Sequence, residues 1–174
     1  MKTYKIDPLH SSVSFKIRHL LISNVTGQFT NFEATLEKPG DDFSGAKVTF
    51  VAQTNSVDTN NEQRDNHLKS ADFFDAENHP EIKFVSTGVQ KSDEESYKIT
   101  GDLTIKNITK AVTINATFNG ETTDGYGQVK IGFEGDTKVN RKEFGLTWGM
   151  VTEAGQVVVG DDVKLQFDVQ FTQQ

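Results

Sequence analysis

Apolar and polar residues alternate along most of the chain, and this pattern predicts a protein built from β-strands. Residues 163–171 give the clearest example, with an apolar side chain at every second position. Similar alternation marks the segments 4–6, 13–17, 46–52, 82–84, 97–105, 112–118 and 129–133. Residues 27–36 place Phe29 on the opposite parity from Phe32, which indicates a bulge or a strand buried on both faces. Including this segment and leaving out the short stub at residues 4–6, we count about eight long strands.

Short turn-like stretches join most of these segments. Eight strands in hairpin order are typical of an antiparallel barrel or sandwich, and the period alone does not separate the two. A closed barrel of eight strands is wide enough for one small ligand and leaves no exposed edge. The expected fold class is therefore all-β.

The segment from Thr59 to about residue 80 is the one long stretch without this alternation. Thr59 and Glu62 have the spacing of a capping box, which predicts a helix starting near Asn60. Leu68 and Ala71 give that helix only a narrow apolar stripe, so it cannot form a core of its own. We expect a short helical crossover around residues 60–75 that packs against the barrel.

Two neighbouring aromatic residues, Phe73 and Phe74, follow the predicted helix and are the expected anchor of the crossover. We expect this segment to be a lid or plug that packs against a larger body.

Composition narrows the classes of function. The chain has 174 residues, a formal net charge of -7 and no Cys, so we expect a single domain over residues 1–174 without disulfides or thiol chemistry. The negative charge argues against a nucleic-acid partner, because such binding relies on Lys and Arg at phosphates. There are 13 Phe against 3 Tyr and 1 Trp, which suits either a filled β-core or an aromatic-lined cavity.

No window of the sequence approaches the length of a transmembrane segment, and the first residues carry no apolar leader. We therefore expect a soluble, cytoplasmic protein, or a periplasmic one if a leader has been removed from a longer chain.

Candidate chemistry is sparse. The four His are scattered, with no spacing typical of a metal site. Acidic pairs such as Asp41-Asp42 and Asp161-Asp162 fall in turn-like contexts, where solvated charges are common. We predict no catalytic constellation, no metal and no cofactor.

Arginine is rare, and all three arginines fall at the predicted ends of strands or of the helix. They are Arg18, Arg64 and Arg141. A planar guanidinium suits fixed pairing with a carboxylate, a carbonyl or a ligand phosphate. Arg64 and Arg141 could pin the helical segment to the barrel rim, or they could form a polar mouth above an apolar cavity.

Several motifs recur in one order along the chain. They are Ile6-Asp7 with His10-Ser11 and Phe15, His19 with Gly27 and Phe29, Arg64-Asp65 with His67-Leu68, Phe73-Phe74 and Pro80, Gly101-Asp102-Leu103-Thr104-Ile105, Asn140-Arg141 with Phe144-Gly145, and Gly160-Asp161. In this order and spacing the chain resembles the YceI-like family of lipocalin-like, polyisoprenoid-binding proteins. One departure is Asn107, at a hairpin position where the family usually has Gly. Asn also tolerates positive φ, so we expect the turn to form.

The resemblance implies an extended eight-stranded antiparallel barrel with a long apolar pore that takes an isoprenoid chain, and it implies that homodimers can form. The expected function is a non-enzymatic carrier for a polyisoprenoid, an isoprenoid quinone or a fatty-acyl chain. The expected apolar pore residues are Phe15, Ile17, Val48, Phe50, Phe84, Ile114, Phe133, Trp148 and Phe167. The residues expected at a polar mouth, or as structural fastening, are His19, Arg64, Asp65, His67, Asn140 and Arg141. The family pattern also implies that the crossover closes one side or end of the barrel, with Arg64 and Asp65 as its fastening, and that it shapes the pore rather than performs chemistry.

Three other interpretations remain open. The apolar side chains could fill the barrel and leave no room for a ligand. The protein could be an enzyme acting on an amphiphilic lipid through His19, His67 or Asp65. It could also be a dimeric structural or stress-related protein with an incidental cavity.

Overall fold

The strands predicted from alternation form a closed barrel in the computed structural model, which describes residues 1–149 and 158–174. Over these ranges the strands are β1 (Lys2–Ile6), β2 (Ser12–His19), β3 (Ser23–Phe29), β4 (Phe32–Lys38), β5 (Lys47–Gln53), β6 (Val57–Asp58), β7 (Glu81–Lys91), β8 (Ser96–Ile105), β9 (Ile108–Thr123), β10 (Val129–Asn140) and β11 (Val159–Gln173). The helix α1 spans Glu62–Lys69, and 3₁₀ helices span Pro8–His10, Thr54–Ser56 and Arg141–Phe144. Among the described helices, none is long and apolar enough to cross a membrane.

Eight antiparallel strands close the barrel, in the order β1-β4-β5-β7-β8-β9-β10-β11 with β1 returning to β11. Tyr4 on β1 marks the closure, because it pairs with Leu36 of β4 on one side and with Gln173 of β11 on the other. The predicted eight-stranded, lipocalin-like fold is therefore confirmed, and the sandwich alternative is excluded.

The barrel is built differently at its two ends. At one end, which we call the closed end, the eight strands pair around the full circle. At the other end, which we call the mouth end, β11 pairs with β2, β2 with β3 and β3 with the two-residue strand β6. Within the described residues β6 is the last strand of this series. Residues 59–80 cross from β6 to β7 at this end, so the predicted crossover lies over the mouth end.

The crossover helix starts two residues later than the capping box predicts. Asn61 is the N-cap, and its side-chain oxygen accepts a hydrogen bond from the Arg64 backbone N–H at 2.9 Å. Thr59 does not cap the helix, because its hydroxyl donates to the Asp65 carboxylate instead. The predicted apolar stripe is also shorter than expected, since Ala71 lies beyond the helix and is exposed. Of the two stripe residues, only Leu68 lines the barrel interior.

The irregular segment 27–36 is two strands rather than one bulged strand. A bend at Thr30 and Asn31 separates β3 from β4. Because of this bend, Phe29 and Phe32 are both buried although they stand three positions apart. The strand β9 runs through the turn-like pair Asn119-Gly120 and continues to Thr123.

Candidate ligand-binding site

An apolar cavity of about 440 Å³ lies inside the barrel. It forms because every second side chain of a strand points to the same face, so one parity of each strand faces the interior. All nine apolar residues named from the sequence line it: Phe15, Ile17, Val48, Phe50, Phe84, Ile114, Phe133, Trp148 and Phe167. The lumen is therefore not completely filled by side chains, which removes the packed-barrel alternative.

Three cross-strand pairs of Phe and Gly help to keep the lumen open. The rings of Phe15, Phe84 and Phe167 lie over the backbones of Gly27, Gly101 and Gly135 on neighbouring strands, and a Cβ at any of these glycines would overlap the ring. With a larger residue in place of Gly, the ring would have to turn towards the lumen. Glycine in a strand interior often marks such a close approach.

At the closed end an aromatic cluster forms the floor of the cavity. Phe43, from the turn between β4 and β5, is only 3% exposed and inserts among Tyr97, Phe118 and Phe133. Its ring centroid lies 4.9 Å from that of Phe133 and 5.0 Å from that of Phe118. The ammonium of Lys38 lies 4.7 Å from the Phe43 centroid, within the range of a cation–π contact. This cluster plugs the barrel.

At the mouth end the aromatic residues are less deeply buried. His67 of α1 makes edge-on contacts with Phe73 and Trp148, at centroid distances of 5.1 and 4.8 Å. Phe74 makes a similar contact with Phe29 at 5.8 Å. The predicted anchor residues therefore hold the crossover against the barrel wall, with His67 and Trp148 between the cavity and solvent.

Arg141 is buried and organises the loop that carries Trp148. Its Nη1 donates to the carbonyl oxygens of Leu146 and Trp148 at 2.7 and 2.6 Å, and its Nε donates to that of Gly160 at 2.8 Å. Burial lowers the pKa of Arg141 below its usual value, but an arginine in a protein stays protonated. The guanidinium thus ties residues 146–148 to the start of β11.

Arg64 and Asp65 fasten the crossover by a route that the sequence did not predict. They do not bind each other; both bind Thr59, at the end of β6. The Arg64 Nη2 donates to the Thr59 carbonyl at 2.8 Å, and the Asp65 carboxylate accepts from the Thr59 backbone N–H at 2.8 Å. Thr59 is 5% exposed, so these bonds are shielded and fix the start of the helix. Arg64 also reaches the cavity, whereas Asp65 is not among its lining residues.

The two remaining polar residues named from the sequence have different positions. His19, the last residue of β2, lines the mouth. Asn140 does not line the cavity; its side-chain oxygen caps the 3₁₀ helix Arg141–Phe144 by accepting from the Lys142 backbone N–H at 3.0 Å. Asn140 is therefore a structural residue.

The polar side chains that line the cavity within the described residues are all basic or neutral, since none is Asp or Glu. They are Ser14, Arg18, His19, Arg64, His67, Tyr97, Thr137, Arg141 and Gln166. The Nε2 of His67 lies 2.9 Å from the Asp72 carboxylate, on the solvent side of the crossover. Over residues 1–149 and 158–174, no group of three His, Asp or Glu side chains could hold a metal ion. This arrangement suits an apolar chain with a polar head group at the mouth.

Two parts of the site were missed in the sequence. Phe43 was overlooked because it follows Asp41-Asp42 in a polar turn, although a lone Phe in such a turn is itself a signal of an inserted side chain. The Phe–Gly pairs were overlooked because strand partners are unknown until the barrel order is known.

Comparison with known proteins supports the resemblance seen in the sequence. A family model described as the YceI-like domain matches residues 4–171. The chain belongs to the YceI-like family. A UPF0312 protein of Staphylococcus aureus strain USA300 is 38% identical over 173 residues, covering 99% of this chain and 98% of the relative.

Solved structures of the YceI-like fold agree with the barrel described above. A Campylobacter jejuni YceI protein, 33% identical, superposes with a TM-score of 0.76 over 91% of each chain. BcnA of Burkholderia cenocepacia is 22% identical, with a TM-score of 0.83 over 95% of this chain and 98% of BcnA. A polyisoprenoid binding domain of Saccharophagus degradans is 12% identical, with a TM-score of 0.76 over 98% of each chain. The last two likenesses are of fold.

Proposed function

We propose that this YceI-like protein binds one long apolar or amphiphilic chain in its barrel and carries it without chemical change. The chain would be of the polyisoprenoid, isoprenoid quinone or fatty-acyl type. The observation that carries the proposal is the continuous apolar cavity, whose volume lies within the usual range for small-molecule sites. The name of the Saccharophagus domain, a polyisoprenoid binding domain with the same barrel, gives the proposal independent support.

Burial of hydrocarbon would supply most of the affinity. Each buried CH₂ contributes roughly 0.8 kcal/mol, so about ten of them contribute roughly 8 kcal/mol. A free energy of that size corresponds to about micromolar binding before the cost of ordering the chain is subtracted. The lining offers almost no polar contacts along its length, so we expect chains of similar length and width to compete with one another.

Discrimination between head groups should be weak. The Nε, Nη1 and Nη2 of Arg141 all donate to backbone carbonyls, and the Nε and Nη2 of Arg64 donate to Thr59. The Arg141 guanidinium therefore cannot bind a ligand phosphate without giving up these bonds, and a tight grip by Arg64 would also break its bonds to Thr59. We therefore expect a head group to remain near solvent, beside His19 and His67.

The test compares a substitution that fills the lumen with the same substitution on the outer surface of the barrel, which serves as the control. Ile114→Trp adds bulk inside the cavity, whereas Thr113→Trp adds the same residue to the exposed face of β9. Isothermal titration of the delipidated proteins with a prenyl alcohol should give affinity at least about tenfold weaker for Ile114→Trp. Thr113→Trp should bind like the wild type. Equal affinities for all three proteins would contradict binding inside the barrel.

An enzyme acting on an amphiphile is the second candidate, because His67 is oriented by Asp72 and faces the cavity. This reading requires turnover that His67→Ala abolishes while chain binding and the folded state persist. Asp65→Asn is not a useful test, because Asp65 holds Thr59 and its loss would loosen the helix start.

A further inference from the structure

The turn between β2 and β3 has a composition and a backbone that folding alone does not explain. We call residues Leu20–Ile22 the hairpin tip. Leu21 is 60% exposed and Ile22 is 81% exposed. Leu20 and Leu21 both have positive φ, 52° and 62°, a conformation that favours Gly, Asn or Asp. The chain thus places exposed aliphatic side chains on a strained turn.

A second turn at the same end provides a comparison within the molecule. Lys106 and Asn107, between β8 and β9, also have positive φ, 51° and 63°. That turn carries polar residues, and Asn is well suited to the left-handed region. Backbone geometry at the mouth end is therefore compatible with a polar turn, so the aliphatic residues of the hairpin tip need another reason.

The hairpin tip lies at the edge of the cavity mouth. The Leu20 backbone N–H donates to the Val158 carbonyl at 2.9 Å, and His19 pairs with Val159. His19, Val158 and Val159 all line the cavity. An apolar chain that left the lumen beside these residues would next meet the aliphatic tip.

The hairpin formed by β2 and β3 carries a charge opposite to that of the whole protein. Residues 11–32 contain Lys16, Arg18 and His19 but no Asp or Glu, in a chain whose net charge is -7. Asp161 and Asp162, at the start of β11, are paired with Lys142 and Lys138 at 3.3 Å each. Basic residues beside exposed aliphatic ones are the combination that binds an anionic bilayer surface.

We propose that the hairpin tip docks onto a lipid bilayer bearing anionic head groups, where Leu21 and Ile22 enter the interface and the mouth of the barrel faces the lipid. The proposal rests on the proposed carrier function, because docking there would let a chain pass between bilayer and barrel without crossing water. The basic residues would orient the protein as it approaches the bilayer, and the aliphatic side chains would keep it bound there.

A chain without Cys allows a direct test by labelling. Single variants Leu21→Cys and Tyr126→Cys each receive an environment-sensitive fluorophore. Tyr126 is the matched control because it is 93% exposed and lies in the turn between β9 and β10 at the opposite end. With phosphatidylcholine vesicles containing phosphatidylglycerol, the label at 21 should shift to shorter wavelength and the label at 126 should not.

A second variant tests the side chains themselves. Leu21→Gly/Ile22→Ser removes the aliphatic groups and places Gly at a positive φ, so the fold should be kept. Vesicle binding in flotation should fall at least about tenfold, while Tyr126→Ser should bind like the wild type. Thermal unfolding checks that the variant is folded.

The proposal is overturned if the emission of the label at 21 does not shift with vesicles, or if the labels at 21 and 126 shift equally. It is also overturned if Leu21→Gly/Ile22→Ser binds vesicles as well as the wild type does. A shift that appears without vesicles and grows with protein concentration would assign the tip to a second copy of the chain and would also overturn it. These assays use delipidated protein. Failure of the carrier function is read separately, as a lack of prenyl alcohol binding in vesicle-free solution.

Discussion

The two ends of this YceI-like barrel differ in how their strands pair and in how deeply their aromatic side chains are buried. At the closed end the strands pair around the full circle, and Phe43 is packed among three aromatic rings. At the mouth end β6 gives way to the crossover, and Trp148 and His67 are only partly buried. The difference teaches that stability and access are separated along the barrel axis: one end supplies packing energy, and the other leaves a route to the cavity.

Truncation of the plug should show this asymmetry most strongly. Phe43→Ala creates a cavity in the aromatic cluster and should lower the free energy of unfolding by about 3–5 kcal/mol. Trp148→Ala removes a larger side chain at the mouth end and should cost less than about 2 kcal/mol, because Trp148 is only half-buried. Urea denaturation followed by far-ultraviolet circular dichroism measures both. Equal losses would remove the distinction between the ends.

The mouth end should depend on one buried cation. Arg141→Met leaves several carbonyl oxygens without a donor, and we expect a loss of about 2–4 kcal/mol in unfolding free energy. Because Trp148 is the single Trp, its emission should shift to longer wavelength as the loop loosens. Lys142→Met is the control, since Lys142 and Arg141 both lie near the Asp161 carboxylate, at 3.3 and 3.8 Å, but Lys142 is half exposed. An Arg141 variant with wild-type emission would show that the carbonyl contacts do not position the loop.

A larger residue at the Gly of a Phe–Gly pair should reduce the volume of the cavity. In Gly27→Ala, the new methyl group overlaps the Phe15 ring and should push it towards the lumen, at a cost of about 1–3 kcal/mol in stability. Chain binding should weaken in the same variant. Gly88→Ala is the control, because its Cβ would meet no atom within 4 Å. If both variants bind the chain equally well, the ring does not control the space.

Acid should weaken the link between β1 and β2. The hydrogen bond from His10 lowers the pKa of Asp7 below its usual 3.8, and the Leu9 backbone N–H and Lys130 add to the effect. A lowered carboxyl pKa stabilises the fold above pH 3.8, and this stabilisation is lost as the pH falls through the folded-state value.

The corresponding variant is Asp7→Asn. It should be less stable than the wild type by about 1 kcal/mol at neutral pH, and the difference should vanish in acid. Urea midpoints measured at several pH values test this. A difference that stays constant below pH 3.8 would rule out the carboxylate as its source.

The sequence was most informative where local pattern decides the structure. Alternation located the strands, because a half-buried strand requires that period, but it did not show which parity of each strand faces the interior. The family resemblance placed Asn107 in a turn that favours positive φ, and the structure has it at 63°.

The sequence was least informative where distant partners decide. Thr59 and Asn61 are both residues that commonly cap a helix N-terminus. The Thr59 side chain is bound to Arg64 and Asp65, and Asn61 therefore forms the N-cap. Arg141 binds backbone carbonyls, which carry no sequence signature. The Phe–Gly pairs that help to keep the lumen open, such as Phe15 with Gly27 on β2 and β3, follow from the sheet order.

The most direct test of the central claim is native mass spectrometry of the protein as isolated, followed by extraction and identification of what is bound. The account predicts one long-chain lipid per protein molecule, absent from the Ile114→Trp variant and retained by Thr113→Trp. An empty wild-type protein that also rejects added prenyl alcohols and fatty acids would contradict the proposal that this cavity carries a chain.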